Sequence, residues 1–311
     1  MILTVTLNTA LDVTYHVPRL VPHGSHRVAE VGERPGGKGV NVARVLAALG
    51  HEVTVTGFAG GPPGAALRRA LAASPGVTDA LVDCAGPTRR TLAVVDASTG
   101  DTTQFNEAGP VVSTAEWTAF LDRYDELLRS ARAVALCGSL PPGIPVGAYA
   151  ALVRSARGAG VPVLLDTSGE PLRRGVAARP DIVKPNAAEL AQLTGSRDPL
   201  PATLAARRRG AHTVVTSLGP GGLLAATPHG VWQAAPPAAL SGNPTGAGDS
   251  AVAALLAGQV GGTDWPTRLT EAVALSAATV RAPAAGEFDR PTYENLRHTI
   301  KVTPPQPGPV G

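Results

Sequence analysis

The stretch GNPTGAGDSAVAALLAG, residues 242–258, joins a loop with few large side chains to an apolar run that predicts a helix. One acid, Asp249, stands where the two meet. The first N–H groups of a helix are unpaired and lie at the positive end of its dipole, and glycines let an anion approach them. Gly246, Ala247 and Gly248 are therefore candidate phosphate donors. Asp249 is either a helix cap or a general base for a hydroxyl that attacks this phosphate.

Outward from this stretch, short apolar runs alternate with amphipathic segments. ILTVTL (2–7), AVALCGSL (133–140) and HTVVTSLG (212–219) predict buried strands, whereas GVNVARVLAALG (39–50) and TAEWTAFLDRYDELLRSA (114–131) predict helices. Strands that alternate with helices form a mainly parallel sheet covered on both faces, which is the α/β class. Ligands of such sheets bind at the carboxyl ends of the strands.

Two segments depart from this alternation. Residues 12–34 alternate like an exposed sheet without a helix, and residues 88–107 predict a hairpin around STGD. They predict a small antiparallel sheet outside the main one, suited to serve as a lid and to pair with a second copy of the chain as a homodimer. We expect one domain over residues 1–302 that includes both lid segments, followed by a disordered tail over residues 303–311.

Composition excludes several classes of function. The net charge is +3, no basic run is longer than RRR, and four Phe and four Tyr leave little for base stacking, which disfavours nucleic-acid binding. No apolar run has the length of a membrane span. The start MILTVTLNTALDV lacks the basic region of a signal peptide. The two cysteines lack a metal-ligand spacing and favour a reducing compartment. Together these features predict a cytoplasmic protein that binds neither nucleic acid nor membrane.

Lysine and asparagine are rare in the chain, and most of them lie in or beside loops marked by Gly and Pro. In ERPGGKGVNVARVLAALG (33–50), glycines surround Lys38 and Asn41 stands at the start of a helix. Gly39 and Val40 follow the lysine, so this is not a Walker A loop, which needs Ser or Thr after the lysine. The segment is either a ligand loop or a flexible loop before a helix.

Two further strand ends carry loops suited to a nucleotide. VKPNAAEL (183–190) presents Lys184, Asn186 and Glu189. Asn186 and Glu189 suit a hydrated Mg²⁺ and, equally, a helix cap with its companion acid. TSLGPGG (216–222) suits nucleotide phosphates or a plain turn.

These four motifs, in the order in which they occur along the chain, resemble those of the ribokinase-like (PfkB-type) carbohydrate kinases. The resemblance covers nearly the whole chain. It implies a three-layer α/β/α sandwich with a mainly parallel central sheet and a small β-sheet lid. It also implies ATP and Mg²⁺ as cosubstrates and Asp249 as the catalytic base, with Gly246 to Gly248 stabilising the transferred group.

Other segments resemble the subgroup that phosphorylates sugar phosphates, which includes 1-phosphofructokinase and tagatose-6-phosphate kinase. These segments are LNTALD, TRRT, FNEAGP and CGSLPPG. The implied sugar site consists of Asp12, Gly37, Lys38, Asn41 and Ser139. Arg89, with Arg90, is implied to face the phosphate that the substrate already carries, since Arg offers a planar fork for phosphate oxygens. The implied nucleotide site consists of Lys184, Asn186, Ser217, Gly219, Gly222 and Gly248, and Asn186 and Glu189 are implied to hold Mg²⁺ through water.

We therefore expect an ATP-dependent kinase that converts fructose 1-phosphate to fructose 1,6-bisphosphate. The alternative is the same reaction on tagatose 6-phosphate or fructose 6-phosphate. A sugar-phosphate-binding protein without catalysis is disfavoured because the GAGD motif is complete. A nicotinamide dehydrogenase is disfavoured because no G-x-G-x-x-G follows the first strand.

Overall fold

The computed structural model describes residues 1–28 and 30–304. In this part of the chain the helices are α1 (Lys38–Ala48), α2 (Gly61–Ala72), α3 (Thr114–Leu128), α4 (Ala148–Gly158), α5 (Gly169–Ala177), α6 (Ala187–Thr194), α7 (Pro199–Arg208), α8 (Ala247–Gly261), α9 (Trp265–Val280) and α10 (Arg290–Thr299). The strands are β1 (Ile2–Thr6), β2 (Ala10–Val17), β3 (Val31–Gly36), β4 (Val53–Ala59), β5 (Val77–Asp79), β6 (Val82–Asp83), β7 (Arg89–Asp96), β8 (Thr102–Asn106), β9 (Ala133–Cys137), β10 (Val163–Asp166), β11 (Ile182–Val183), β12 (Thr213–Ser217), β13 (Leu223–Thr227), β14 (Gly230–Ala234) and β15 (Val302–Thr303).

An eleven-stranded sheet forms the centre of the molecule, in the order β15-β14-β13-β12-β11-β10-β9-β1-β4-β5, with β6 also paired to β4. The pairs from β12 to β5 are parallel, and those from β12 to β15 are antiparallel. The predicted α/β class with a mainly parallel sheet is confirmed. The sequence pattern does not predict the antiparallel edge, because GLLAATPHGVWQAA lacks regular alternation and its two-residue turn, Pro228-His229, is not one of the Asn-Gly or Asp-Gly dipeptides that mark a hairpin.

Helices cover both faces of this sheet and make it the middle of three layers. Successive residues of a strand point to opposite faces, and the buried clusters follow this rule. Ala133 and Ala135 belong to the cluster formed with α1, α2, α8, α9 and α10. Val134 and Leu136 belong to the cluster formed with α3 to α7. The predicted α/β/α sandwich is therefore confirmed.

The small sheet has the strand order β3-β2-β7-β8. Its two outer pairs are antiparallel, but the central pair β2–β7 is parallel, so the sheet is mixed and not purely antiparallel as predicted. The reason is that β2 and β7 lie in two separate segments that leave the main sheet, and the two strands run in the same direction. Among the described residues of 12–34, only those at the two ends form strands; Pro18 and Pro22, which lack an N–H donor, lie between the strands.

The end of the chain is ordered further than the sequence predicts. Val302 packs against the core, and Thr303 pairs with Gln233 of β14, so the predicted disordered tail begins inside a strand. Residues 305–311 of that tail lie outside the described residues. Of the helices in residues 1–28 and 30–304, none combines the length and the apolar character that crossing a membrane needs.

The parallel strands place several polar groups at one edge of the main sheet. The amide of Gly138 donates to Asp166 O at 2.9 Å, and that of Lys184 donates to Leu165 O at 3.0 Å. The carboxyl ends of β9, β10, β11 and β12 therefore align. Helices α1 and α8 also begin at this edge, as the cavities described next show.

Candidate active site

Two cavities lie side by side at this edge of the sheet. The polar cavity, of about 500 Å³, lies between the inner face of the small sheet and the starts of α1 and α8. The apolar cavity, of about 760 Å³, lies between the loop after β12, residues 236–242, and helices α8 and α9. Asn186, Ser217 and Gly248 line both cavities. A molecule that spans the two must therefore pass the start of α8.

Asp249 lies at this junction, in the first turn of α8. The side chain is 6% exposed, and its Oδ2 accepts a hydrogen bond of 2.8 Å from Asn41 Nδ2. It does not cap its own helix, because Gly246 is the N-cap and no side-chain capping bond forms there. Burial raises the pKa of Asp249 to about 6; Lys38 opposes this rise and Asp166 adds to it. The structure thus brings Asp249, Asn41 and Lys38 of the sequence prediction into one place.

The loop before α8 approaches its neighbours too closely for side chains. Gly246 has φ 86°, and a Cβ there would lie 2.8 Å from Ala285 Cα. The amide of Ala247 donates to Pro244 O at 3.1 Å, so it is not free for a ligand. Gly246 lines the polar cavity and Gly248 faces both cavities, so their amides are the remaining candidate donors of the three.

Lys38 and Lys184 flank a carboxylate that the sequence analysis does not single out, Asp166. Asp166 Oδ1 lies 3.2 Å from Lys38 Nζ, and Oδ2 lies 3.6 Å from Lys184 Nζ. Asp166 and Lys184 are buried, whereas Lys38 is half-buried. The Asp166 carboxylate raises the pKa of the Lys38 ammonium group against the opposing effect of burial. Both lysines and Asp166 line the polar cavity.

Arg89 also lines the polar cavity and, beside it, a third cavity of about 510 Å³. Its Nε donates to Asn8 O at 3.3 Å, and its Nη1 lies 3.4 Å from the Thr91 hydroxyl. Ser139 lines the third cavity, where its Oγ accepts a hydrogen bond of 3.1 Å from Asn8 Nδ2. Lys38, Arg89 and Glu189 border both cavities, so the two adjoin, and their lining carries both basic and acidic side chains.

Asp12 and Gly37 complete the polar cavity on the side of the small sheet. Burial raises the pKa of Asp12, and Thr91 and Arg89 oppose the rise. Gly37 has φ 103°, a backbone conformation that favours glycine, and a Cβ there would lie 2.7 Å from Thr6 Cγ2. A Cβ at Gly36 would overlap the Asp12 carboxylate and force that side chain to move.

Arg90 lies apart from these groups. Successive strand residues point to opposite faces, and Arg90 lies on the outer face of the small sheet, exposed and paired with Glu107 at 3.0 Å. It is absent from the described lining of the polar cavity. Arg90, which the sequence resemblance implies at the same phosphate as Arg89, therefore lies on the opposite face of the small sheet from Arg89.

Asn186 and Glu189 form a capping box at the start of α6. Asn186 Oδ1 accepts from the Glu189 amide, and Glu189 Oε2 accepts from the Asn186 amide, both at 2.8 Å. The helix-cap interpretation thus holds, and it leaves Glu189 Oε1 available. Glu189 lines the polar cavity. In the described part of the chain, no group of three or more His, Cys, Asp and Glu side chains could hold a metal ion alone.

The apolar cavity contains the other residues assigned to a nucleotide. Ser217, Gly219 and Gly222 line it, and Gly219 and Gly222 have φ values of 59° and 79°. A Cβ at Gly222 would lie 2.0 Å from Ala234 O, so this turn requires glycine. Its other walls include small or apolar residues that no motif marks in the sequence: Pro236, Ala239, Leu240, Val273, Ala277 and Val280.

The sequence analysis also misses an ion-pair cluster beside the polar cavity. Glu287 pairs with Arg34 of β3 and, at 2.9 Å, with Arg44 of α1. Arg44 also donates to Ala285 O at 2.9 Å, which fixes the loop above Gly246. No sequence signal links these residues, because they come from three separate elements. A weak sequence signal did mark Asp166 as a candidate site residue, since it is the polar residue that ends the buried strand VLLD.

Comparisons with known proteins agree with this geometry. The model of the pfkB family carbohydrate kinases matches residues 5–292. A 1-phosphofructokinase of Rhodobacter capsulatus is 39% identical over 98% of this chain and 98% of its own length.

Two solved structures extend the comparison. Phosphofructokinase-2 of Escherichia coli, both in complex with fructose-6-phosphate and in its tetrameric inhibited form, is 30% identical with a TM-score of 0.86, covering 95% of this chain and 98% of that one. A possible 1-phosphofructokinase of Thermotoga maritima is 26% identical with a TM-score of 0.87, covering 98% of this chain and 100% of that one.

Proposed function

Because the chain belongs to the pfkB family of carbohydrate kinases, and so transfers phosphoryl groups to an alcohol, we propose that it phosphorylates fructose 1-phosphate with ATP to give fructose 1,6-bisphosphate and ADP. The observation that carries this proposal is the position of Asp249 at the junction of a charged cavity and an apolar one. The charged cavity suits a sugar phosphate, and the apolar cavity suits a nucleoside.

In the proposed reaction Asp249 is the general base. A sugar hydroxyl in the polar cavity gives its proton to the Asp249 carboxylate while its oxygen bonds to the γ-phosphorus of ATP. The bond from that phosphorus to the β,γ-bridging oxygen breaks, and ADP leaves. The pKa of about 6 keeps the carboxylate ionised at neutral pH and basic enough to accept the proton.

The charges around Asp249 position two anionic substrates. We assign Arg89 and Lys38 to the phosphate that the sugar already carries, since both border the third cavity with Ser139. We assign Lys184 and the Gly248 amide to the transferred group, since they lie at the junction of the cavities. Phosphoryl transfer depends mainly on such alignment and charge stabilisation.

Mg²⁺ is proposed at the side of Glu189. Mg²⁺ retains waters and usually takes only one or two protein carboxylates together with substrate phosphates. The free Glu189 Oε1 and the absence of a metal cluster in the described residues fit this mode of binding. When bound with ATP, Mg²⁺ neutralises charge on the phosphate oxygens. Because the Asn186 side-chain oxygen already accepts a hydrogen bond, we assign the direct role to Glu189.

A substrate panel with purified protein tests the function. ADP release is measured with fructose 1-phosphate, fructose 6-phosphate, tagatose 6-phosphate and unphosphorylated fructose. We expect the highest kcat/KM with fructose 1-phosphate. A higher value with another sugar phosphate reassigns the substrate within the family. Sugar-phosphate binding without ADP release shows a protein that only binds.

We also propose a homodimer through the small sheet. Its outer face presents Tyr15, Leu92 and Phe105 beside a cavity of about 530 Å³, and Phe105 is 58% exposed. An exposed apolar sheet face is typical of a protein interface. Light scattering of the wild type and of Phe105→Asp tests this, because the charged side chain should give monomers. A wild-type monomer at micromolar concentration contradicts the proposal.

Two broader assignments stay proposals. We propose that residues 1–302, including both lid segments, form one kinase domain, which predicts a single cooperative unfolding transition by calorimetry. We also propose a cytoplasmic location, where ATP and sugar phosphates are available, and the free thiols of Cys84 and Cys137 suit a reducing compartment. Two separate transitions, or recovery of the protein outside the cytoplasm on cell fractionation, contradict the respective assignment.

A further inference from the structure

Asp166 has no role in the reaction derived above, yet it lies at the centre of the charged groups. It is 1% exposed, and its two carboxylate oxygens face different lysines, Lys38 at 3.2 Å and Lys184 at 3.6 Å. Among the described residues, no hydrogen-bond donor reaches Oδ2. A carboxylate buried this deeply needs compensating charge, and the two ammonium groups supply it.

The backbone around Asp166 is fixed on both sides. Asp166 O accepts from the Gly138 amide at 2.9 Å, and the preceding carbonyl, of Leu165, accepts from the Lys184 amide at 3.0 Å. These bonds belong to the parallel ladder at the middle of the main sheet. A lysine, by contrast, is a flexible chain of four carbons. The short acid on a rigid strand is therefore the fixed member of this trio.

The two lysines face different parts of the site. Lys38 borders the polar cavity and the third cavity, where we place the sugar phosphate. Lys184 is close to Gly248, since a Cβ there would lie 3.5 Å from Lys184 Nζ. Gly248 borders both cavities, where we place the transferred phosphoryl group.

On the basis of the proposed function, we propose that Asp166 is a positioning residue that holds Lys38 at the sugar phosphate and Lys184 at the transferred group. One buried carboxylate then sets the distance between the two cations. Without it, the ammonium groups repel each other and move apart. Loss of a negative charge beside two anionic substrates also lowers the repulsion that they meet, so we expect the loss in kcat and not in KM.

The first test measures the ionisation of the lysines in Asp166→Asn, which keeps the shape of the side chain and removes its charge. An amine-reactive acylating reagent is applied from about pH 7 to about pH 10.5, around the ordinary lysine pKa. Mass spectrometry then resolves the three lysines of the chain, with exposed Lys301 as the internal reference. Asp166 raises the pKa of Lys38 above the ordinary lysine value, so we expect no labelling midpoint of Lys38 within this range for the wild type and a midpoint within it for Asp166→Asn.

The labelling midpoint of Lys38 distinguishes the loss of the Asp166 charge from looser packing around Lys38. Greater exposure of Lys38 would raise its labelling rate at every pH without moving the midpoint. An unchanged midpoint in Asp166→Asn overturns the proposal. If circular dichroism shows that Asp166→Asn does not fold, Asp166→Glu replaces it. That variant keeps the charge but displaces it, so the midpoint should stay high while turnover falls; normal turnover in Asp166→Glu overturns the proposal.

The second test is steady-state kinetics of Asp166→Asn. We expect kcat to fall by about 10- to 10²-fold, while KM for ATP and for the sugar phosphate is unchanged or lower. A kcat within about threefold of the wild type, or a loss confined to KM, overturns the positioning role. A wild-type enzyme that phosphorylates no sugar phosphate would refute the proposed function instead, and the Lys38 midpoint would then decide alone whether Asp166 organises the lysines.

Discussion

The polar cavity and the apolar cavity meet at Gly248 but are built from different groups. The polar cavity is lined by charged side chains, among them Asp12, Lys38, Arg89 and Asp249. The described lining of the apolar cavity contains no charged side chain; its polar side chains are serines and Asn186. One half of the site therefore recognises its ligand by charge, and the other half by shape.

This difference has a physical consequence for specificity. A site with buried charged groups rejects a ligand that leaves them unpaired, because unpaired buried charges are costly. An apolar pocket discriminates weakly between ligands of similar size. We therefore expect strict selection of the acceptor and tolerant selection of the donor base.

Removal of the base at the junction should have the largest effect. Asp249→Asn keeps the hydrogen bond from Asn41, since the Asn oxygen can accept it, but it cannot take a proton. We expect kcat to fall by about 10²- to 10⁴-fold with KM for both substrates nearly unchanged. Asp264→Asn is the matched control, because Asp264 caps α9 by accepting from the Thr267 amide at 2.9 Å and lines neither cavity. Near-normal turnover of Asp249→Asn would remove it from the mechanism.

Neutralising one cation of the polar cavity should come next. In Arg89→Ala we expect KM for the sugar phosphate to rise by about 10²-fold, while KM for ATP changes little, because a charge-assisted bond to phosphate is lost. Arg90→Ala is the matched control, since Arg90 is its neighbour in sequence but forms an exposed ion pair on the opposite face. Its effect should stay within about threefold. Equal effects of the two substitutions would place the phosphate elsewhere.

The same contrast explains which parts of the site could be predicted from sequence. Groups of the polar cavity lie in short motifs at strand and helix ends, so Lys38, Asn41 and Asp249 could be identified as candidates. Asp166 was missed because a single acid at the end of a buried strand is a weak signal. The walls of the apolar cavity could not be predicted, because Ala239, Leu240 and their neighbours have no chemistry that marks them among the other apolar residues.

The fold shows a similar limit. The helices and parallel strands follow from local periodicity, which is strong in buried α/β units. The parallel pairing of β2 with β7 could not be predicted, because it joins segments far apart in the sequence. The same holds for Glu287, whose partners Arg34 and Arg44 meet it only in the folded chain. Long-range pairing of this kind depends on topology and not on local pattern.

Burial of Asp249 should also affect stability. The pKa of Asp249 is raised from 3.8 to about 6, so the folded state favours the protonated form. The resulting stability is present below about pH 4 and is lost as the pH rises through about 6, an effect of about 2–3 kcal/mol. Urea unfolding of Asp249→Asn should show it as more stable than the wild type at neutral pH but not at pH 4. Asp264→Asn should be less stable than the wild type at neutral pH, because hydrogen bonds from Thr267 lower the pKa of Asp264. If the wild type instead becomes more stable relative to Asp249→Asn as the pH rises, the prediction for Asp249 is contradicted.

The smallest effect is expected when the donor base is changed. The walls near Ala239, Leu240 and Val280 offer apolar surface and no charged group to a purine ring. Replacing ATP with GTP should therefore lower kcat/KM by only about tenfold, and by less than about 10². Replacing the sugar phosphate with unphosphorylated fructose serves as the matched comparison and should cost at least about 10³, because Arg89 and Lys38 then face no anion. A loss in kcat/KM of about 10⁴ or more with GTP would mean that specific hydrogen bonds recognise the base. The two cavities would then differ in the chemistry of their ligands but not in their selectivity.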